Sequence, residues 1–401
     1  MTLVLIACAV LTAFSLLLAA LIRLGWVLRK RRPQRYWRKT LIAHLVLIPL
    51  YLLVLVPMLL AWLITKQVGT RGDERGYLGP RIAADGRWIP QDRVSLAADG
   101  GGRAGVDPEV LRGARSRAVH FEAQDGVQLR GFLVPAGAPA LGVSAVLVHG
   151  LFRGALELDP VAAMFHRLGA DVLILELRNH GGSARAPASF GPREALDVLA
   201  AVDFLRSQPG LNAQPIALFG VSLGTAAAAF AAPQIPGLAG LVLDAPITDL
   251  ADTATRMLSS APRRGRRGLG LPAPLRFLIL RYAELWSGID LEQIRPIEAL
   301  RRLPPDLPSL LIGESEDDRV PPPVVRSAYR ALRAPPGVKR LWIAPGSGHG
   351  RAWLDHPDLY QSHLAGLLNR VESTRGSGNG PFAATNGRQK PAPRNSPGAG
   401  T

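Results

Sequence analysis

Gly220-Val221-Ser222-Leu223-Gly224 places a serine between two glycines, each two positions away. An apolar run, Ile216–Phe219, precedes it and an Ala-rich stretch, Leu223–Ala232, follows, so Ser222 falls on a turn from strand to helix. Such a turn is too sharp for side chains beside the nucleophile, a demand the glycines meet. An ordinary helix-capping serine is the alternative reading of the pentapeptide alone. A serine hydroxyl is a weak nucleophile and needs a base that an acid holds in one tautomer. Downstream, Gly346-Ser347-Gly348-His349-Gly350 follows the apolar run Lys339–Ile343 and makes His349 a loop histidine at a strand's carboxyl end. His356 and His363 fall at the start of, or inside, a final helix, where surface solvation accounts for them. Glu314, Glu316, Asp317 and Asp318 follow a strand expected over Leu307–Ile312, and by sequence all four are within reach of His349.

The elements needed to bring these residues together are visible on either side. Ala118–Phe121 and Val127–Val134 read as a hairpin turning at Asp125-Gly126. Further strands are expected over Ser144–Val148, Val172–Leu177, Ile216–Phe219, Leu241–Leu243, Leu307–Ile312 and Lys339–Ile343. Helices are expected over Pro160–Leu168, Arg193–Arg206, Leu223–Ala232, Val324–Leu332 and Leu359–Asn369. Short apolar strands alternating with helices imply an α/β fold with a mostly parallel sheet covered on both faces. Sheets of this kind carry their chemistry at the carboxyl ends of the strands, where Ser222, the acidic run and His349 all fall. Ile247–Leu303 has helical pieces and no clear strand, which suggests a modest helical cap.

Taken in this order, the motifs resemble the α/β-hydrolase superfamily, and within it the small-cap serine hydrolases grouped as Bem46-like or dienelactone-hydrolase-like. The resemblance covers roughly residues 116–370. In that group the acid commonly precedes a Val-Pro pair as D-x-x-V-P, here Asp317-Asp318-Arg319-Val320-Pro321. The resemblance therefore implies Asp317 as the triad acid, with Asp318 as runner-up. Glu176-Leu177-Arg178-Asn179-His180-Gly181-Gly182-Ser183 is similar to the group's D-x-R-G-H-G-x-S loop, with Glu176 and Asn179 as departures. In it Arg178 and His180 are expected to brace the mouth of the site without doing chemistry. An oxyanion needs preoriented N–H groups. The backbone N–H of Leu223 and that of Leu151, in His149-Gly150-Leu151-Phe152-Arg153-Gly154, are the expected donors, with His149 as a structural brace. The implied activity is carboxylic ester hydrolysis by Ser222, His349 and Asp317. Peptidase, amidase and thioesterase chemistry would use the same triad, and a catalytically silent membrane receptor or scaffold of the same fold is the competing class. No Cys/His/Asp/Glu spacing reads as a metal site, and no Gly-rich phosphate loop follows the first strand, so no cofactor is expected.

Composition adds an expectation about location. Residues 2–22 and 40–65 contain no charged side chain, and about 20 mostly apolar residues suffice to cross the hydrocarbon layer. Residues 1–66 thus read as a two-helix transmembrane hairpin, the second span tilted around Pro49 and Pro57. A cleaved signal peptide fits less well, because no positive charge precedes the first run. Cys8, the single cysteine, sits within that run as a small hydrophobe, and it excludes an intrachain disulfide. Seven Lys/Arg within residues 29–39, beside Trp26, Tyr36 and Trp37, suggest a cytoplasmic loop. That would make the protein a multi-pass membrane enzyme with a periplasmic or extracellular catalytic domain. The lipid bilayer would be a partner, and an acyl ester or lipid-like small molecule the substrate.

A net charge of +16 raises the question of nucleic acid, but residues 1–66 hold nine Lys/Arg and no acid, and residues 67–370 retain only +4. No nucleic-acid partner is expected. Arg263, Arg264, Arg266 and Arg267 form one further basic patch, read as a solvated loop or a contact for anionic lipid heads. Residues 67–115 read as a linker and membrane-proximal segment, and residues 371–401, rich in Gly, Pro, Ser and Asn, as a disordered tail.

Overall fold

Strands that are apolar on both faces need cover on both, and the chain supplies it. The computed structural model describes residues 20–21, 23–24, 51–68, 81–82, 88–89, 116–151, 154–211, 214–259 and 270–376. A two-residue antiparallel pair, β1 (Arg81–Ile82) and β2 (Trp88–Ile89), precedes the main sheet. The sheet has eight strands: β3 (Arg117–Glu122), β4 (Gln128–Val134), β5 (Ser144–Val148), β6 (Asp171–Glu176), β7 (Ile216–Val221), β8 (Leu238–Asp244), β9 (Ser309–Glu314) and β10 (Lys339–Ala344). Their order is β10-β9-β8-β7-β5-β6-β4-β3. The hairpin β3–β4 is antiparallel and β4 joins β6 antiparallel, whereas every pair from β6 to β10 is parallel. β5 is buried along its whole length and feeds both faces, with Ala145 and Leu147 in one apolar layer and Val146 and Val148 in the other.

Before the sheet lies α1 (Val56–Val68). One face of the sheet is covered by α2 (Asp159–Arg167) and by a C-terminal helix reaching Gly376; the other by α3 (Pro192–Ser207) and α4 (Leu223–Ala231). Each large apolar side chain fully withdrawn here, such as Phe165 or Phe219, contributes about 1.5–3 kcal/mol. Between β8 and β9 come α5 (Leu250–Ser259), α6 (Ala273–Ser287) and the short α7 (Pro296–Leu300). The basic patch at residues 263–267 lies outside the described residues. After β9 come α8 (Pro322–Ala331), α9 (Ala352–Asp355) and α10 (Pro357–Gly376), α10 being the C-terminal helix of the first face.

The transmembrane hairpin expected over residues 1–66 is not supported. Among the described residues no helix is long and apolar enough to cross a membrane. The first charge-free run lies outside the described residues except for Ala20 and Leu21. Of the second, Tyr51–Leu55 is a π-helical turn and Val56–Val68 a 13-residue α-helix. Such a helix rises about 20 Å, short of the roughly 30 Å hydrocarbon layer. Pro57 falls where one winding gives way to the other, having no N–H to continue the ladder backwards. Instead α1 packs along α6, with Ala61 buried in a cluster that contains Leu258 and Ile279. The multi-pass localisation, the exoplasmic catalytic domain and the bilayer partner all rested on those spans and fall with them.

Candidate active site

β7 ends in the turn that the two glycines make possible. Ser222 adopts φ 53°, ψ −118°, a strained conformation for a residue with a side chain, immediately before α4 begins at Leu223. A Cβ at Gly224 would lie 2.2 Å from the Val148 carbonyl oxygen of β5, and one at Gly220 2.4 Å from the Gly224 carbonyl oxygen. Only glycine lets the helix start press this closely on its neighbour strand. The Ser222 N–H donates to the Asp244 carbonyl at 2.9 Å, and Thr225 Oγ donates to the Ser222 carbonyl while accepting from the Ile247 N–H at 3.0 Å. The turn is thereby tied to the end of β8.

Two adjacent strands position the partners. Asp317 follows β9 and His349 follows β10, and their loops are stitched together. Ser315 N–H donates to the Ala344 carbonyl, Gly346 N–H to Ser315 Oγ, and Glu316 N–H to the Ser347 carbonyl. His349 Nδ1 lies 2.6 Å from Asp317 Oδ2, and His349 Nε2 lies 2.9 Å from Ser222 Oγ. An ionised carboxylate only accepts, so Nδ1 carries the proton and Nε2 is left to receive one from the serine. The remaining oxygen, Asp317 Oδ1, accepts from the N–H groups of Arg319 at 2.8 Å and Val320 at 3.0 Å. Burial pushes the Asp317 carboxyl up, but the His349 charge and hydrogen bond, with the two N–H donors, outweigh it and hold the group below the usual carboxylate range. Asp318 is exposed, and it is Asp317 that meets the imidazole. Glu314 is not a loop residue at all. The strand runs two residues further than its apolar letters suggest, and Glu314 pairs with Ala344 inside the sheet, fully buried.

The two expected oxyanion donors lie on either side of the elbow. Leu223 is the first residue of α4, where a backbone N–H has no partner within the helix. Leu151 follows β5 and His149-Gly150, and the two residues after it lie outside the described set. His149 is fully buried: its Nδ1 donates to the Gly150 carbonyl at 2.8 Å and its Nε2 accepts from the Leu177 N–H at 3.2 Å. Burial, with the neighbouring His180 ring, lowers it to about 3, so it is a neutral brace.

The loop after β6 departs from its pattern in physically consistent ways. Asn179 takes φ 67°, a conformation that Asn tolerates better than most residues, and its amide exchanges two hydrogen bonds with Ala186. Arg178 is wholly buried and forks onto Asp197, with a second ion pair to Asp125. Glu176 accepts from Arg130 Nε at 2.7 Å and from the Gly182 N–H at 2.8 Å.

One feature carried no recognisable sequence signal. Asp244, at the end of β8, and Glu314, at the end of β9, place two carboxyls in the interior beside the His349–Asp317 pair. An acid closing an otherwise apolar strand is the only hint the letters give.

A serine hydroxyl, an imidazole and a carboxylate in this series are the groups that acyl transfer needs. Comparison with known proteins gives the family. A family described as "Alpha/beta hydrolase family" matches residues 145–360. An uncharacterized protein of Mycobacterium tuberculosis (strain ATCC 25618 / H37Rv) is 30% identical over 246 residues, 60% of this chain and 76% of the relative. A protein named thiohydrolase aneE from Aspergillus aculeatus is 40% identical over 120 residues, 28% of this chain and 36% of its own. Among solved structures, the Pyrococcus furiosus esterase Pf2001 matches with a TM-score of 0.53 at 20% identity, covering 73% of this chain and 98% of that one. At that identity the likeness speaks to the fold.

Proposed function

The chain belongs to the alpha/beta hydrolase family and is a serine hydrolase, and from that premise we propose that Ser222, His349 and Asp317 are its catalytic triad and cleave a carboxylic ester. The observation that carries the reading is the unbroken series Ser222 Oγ, His349 Nε2, His349 Nδ1, Asp317 Oδ2, with contacts of 2.9 and 2.6 Å, built on a strained elbow. His349 takes the Ser222 proton as Oγ bonds to the ester carbonyl carbon. The carbonyl electron pair moves onto oxygen, where the Leu223 and Leu151 N–H groups receive it. Collapse expels the alcohol, which leaves with the proton held by His349. Water then attacks the acyl-enzyme, gives a proton to His349, and releases the acid as Ser222 is reprotonated. Asp317 keeps the imidazole oriented and its positive charge stabilised throughout.

The Asp317-Asp318-Arg319-Val320-Pro321 frame supports a place in the Bem46-like or dienelactone-hydrolase-like branch. The hydrolase domain is residues 116–370, with 247–303 as its cap. Arg256 of α5 donates to the Arg319 carbonyl at 2.9 Å and joins that cap to the acid-bearing loop. A thioester is the second substrate reading, favoured by the local similarity to a protein named a thiohydrolase. A fluorophosphonate probe should label the parent protein and not Ser222→Ala, which should lose p-nitrophenyl ester hydrolysis while keeping its melting temperature. Turnover by Ser222→Ala near the parent rate would overturn the assignment. Parallel kcat/KM values on a matched ester and thioester decide between the two substrates.

A further inference from the structure

Three buried carboxyl groups, of Asp244, Glu314 and Asp317, cluster at and just beyond the ends of β8 and β9, and the triad uses Asp317 alone. Asp244 and Glu314 are both fully withdrawn from solvent. Tyr360, from α10, donates its hydroxyl to Asp244 Oδ2 at 2.7 Å. The other oxygen of Asp244 and both oxygens of Glu314 are buried without a well-aligned hydrogen-bond donor among the described residues. Asp244 pairs with Ile312 across β8 and β9, so Glu314, two residues further along β9, projects from the same face of the sheet as its diagonal neighbour. Two ionised carboxylates offer four acceptors and no donor, so contact between them in the interior requires a proton.

We propose that Asp244 and Glu314 share one proton and act as a positioning pair behind the triad, Asp244 lending its negative charge to the His349 imidazolium while protonated Glu314 spares Asp317 a second charged neighbour. The inference rests on the triad reading above. The proton sits on Glu314, because its Asp244 partner already has a donor in Tyr360. Burial drives Glu314 well above the carboxylate range, the Asp244 charge and hydrogen bond add to this, as does the Asp317 charge, and the Ala352 N–H opposes them. Burial, with the Asp317 charge, also raises Asp244, against the hydrogen bonds from Glu314 and Tyr360 and the attraction of His349. Tyr360 from α10, Asp317 from the β9 loop and His349 from the β10 loop are the titratable groups facing the pair. The arrangement leaves two negative charges, on Asp317 and Asp244, to receive one positive charge as His349 takes the Ser222 proton. Full ionisation of all three carboxyls would add a third charge with nothing to balance it.

Substituting each member with its amide tests the pair. His349 must be neutral to act as base, so the acid limb of kcat/KM reports its pKa in the free enzyme. Asp244→Asn still accepts from Tyr360 but removes the charge, so His349 loses its proton more readily and the acid limb moves to lower pH, by about half to one unit. Glu314→Gln keeps a donor toward Asp244 and the same net charge, so the acid limb stays. An unmoved limb in Asp244→Asn, or an equal shift in both variants, overturns the proposal. Infrared difference spectra of the resting parent enzyme against Glu314→Gln at neutral pH supply a readout that needs no turnover: a protonated-carboxyl C=O band is expected in the parent and absent from the variant. Its absence from the parent also overturns the proposal. Failure of the triad reading would appear separately, as ester hydrolysis that survives Ser222→Ala.

Discussion

Two groups of buried charge stand at the carboxyl ends of strands, and they are balanced differently. After β6, the Arg178 guanidinium meets Asp197 in a fork and Asp125 at the rim, so each charge has a committed partner. At the ends of β8 and β9, the buried carboxyls of Asp244, Glu314 and Asp317 cluster, and the cation they await forms on His349, which is bonded to Asp317. Burial pushes Asp197 up to about 6 even against Arg178, showing how much the interior costs a carboxylate that is already paired. A cluster whose buried carboxylate already meets its cation in the resting state fixes shape. A cluster with surplus negative charge is suited to a positive charge that appears only during turnover.

The sharpest way to break this contrast is to remove charge from each cluster and read rate and stability separately. Asp317→Asn should lower kcat on a p-nitrophenyl ester by about 10³–10⁴, because the imidazole loses both its tautomer and the partner for its charge. Asp318→Asn should stay within about twofold, its side chain being exposed while Asp317 meets the ring. The opposite ranking in steady-state kinetics would move the acid by one residue.

In the balanced cluster the effect should fall on folding. Asp197→Ala takes away the buried partner of the Arg178 guanidinium and leaves it Asp125 at the rim, and should cost about 3–5 kcal/mol in denaturant unfolding. Turnover per folded molecule should change far less than in Asp317→Asn. A variant as stable as its parent but slow would place Arg178 in the chemistry and dissolve the distinction.

The smallest effect concerns pH. The Asp317 carboxyl lies below its ordinary value of 3.8, so the stability it adds is complete above that value and is lost as the pH falls through the lowered folded value. Acid unfolding followed by circular dichroism should therefore begin from a lower plateau in Asp317→Asn, with the two curves converging at the acid end. Parallel curves across the range would mean that the carboxylate gains nothing from His349 in the folded state.

The strand-turn-helix around Ser222 was legible because glycine spacing, apolar run and helix all demanded the same local structure. Asp317 needed the Val-Pro frame, since four acids in five residues are equivalent to a propensity argument. Glu314 read as a loop residue because a carboxylate ordinarily ends a strand. Its place in β9 depends on pairing with Ala344 and on a proton, neither of which is local. Residues 51–68 misled for a related reason: absence of charge says that a segment avoids water, not what it lies against. Here Ala61 packs with Leu258 and Ile279.

That packing joins residues 197 and 218 positions apart and bears on the order of assembly. α1 can dock only after α5 and α6 exist, whereas the β3–β4 hairpin and the β5–β7 core close from nearer neighbours. Contacts with the longest chain closure carry the largest entropic delay, so the outer layer of the cap should be late to form and early to open. α1 thus becomes the finishing clasp of the cap, set over the part of the chain that touches the acid-bearing loop.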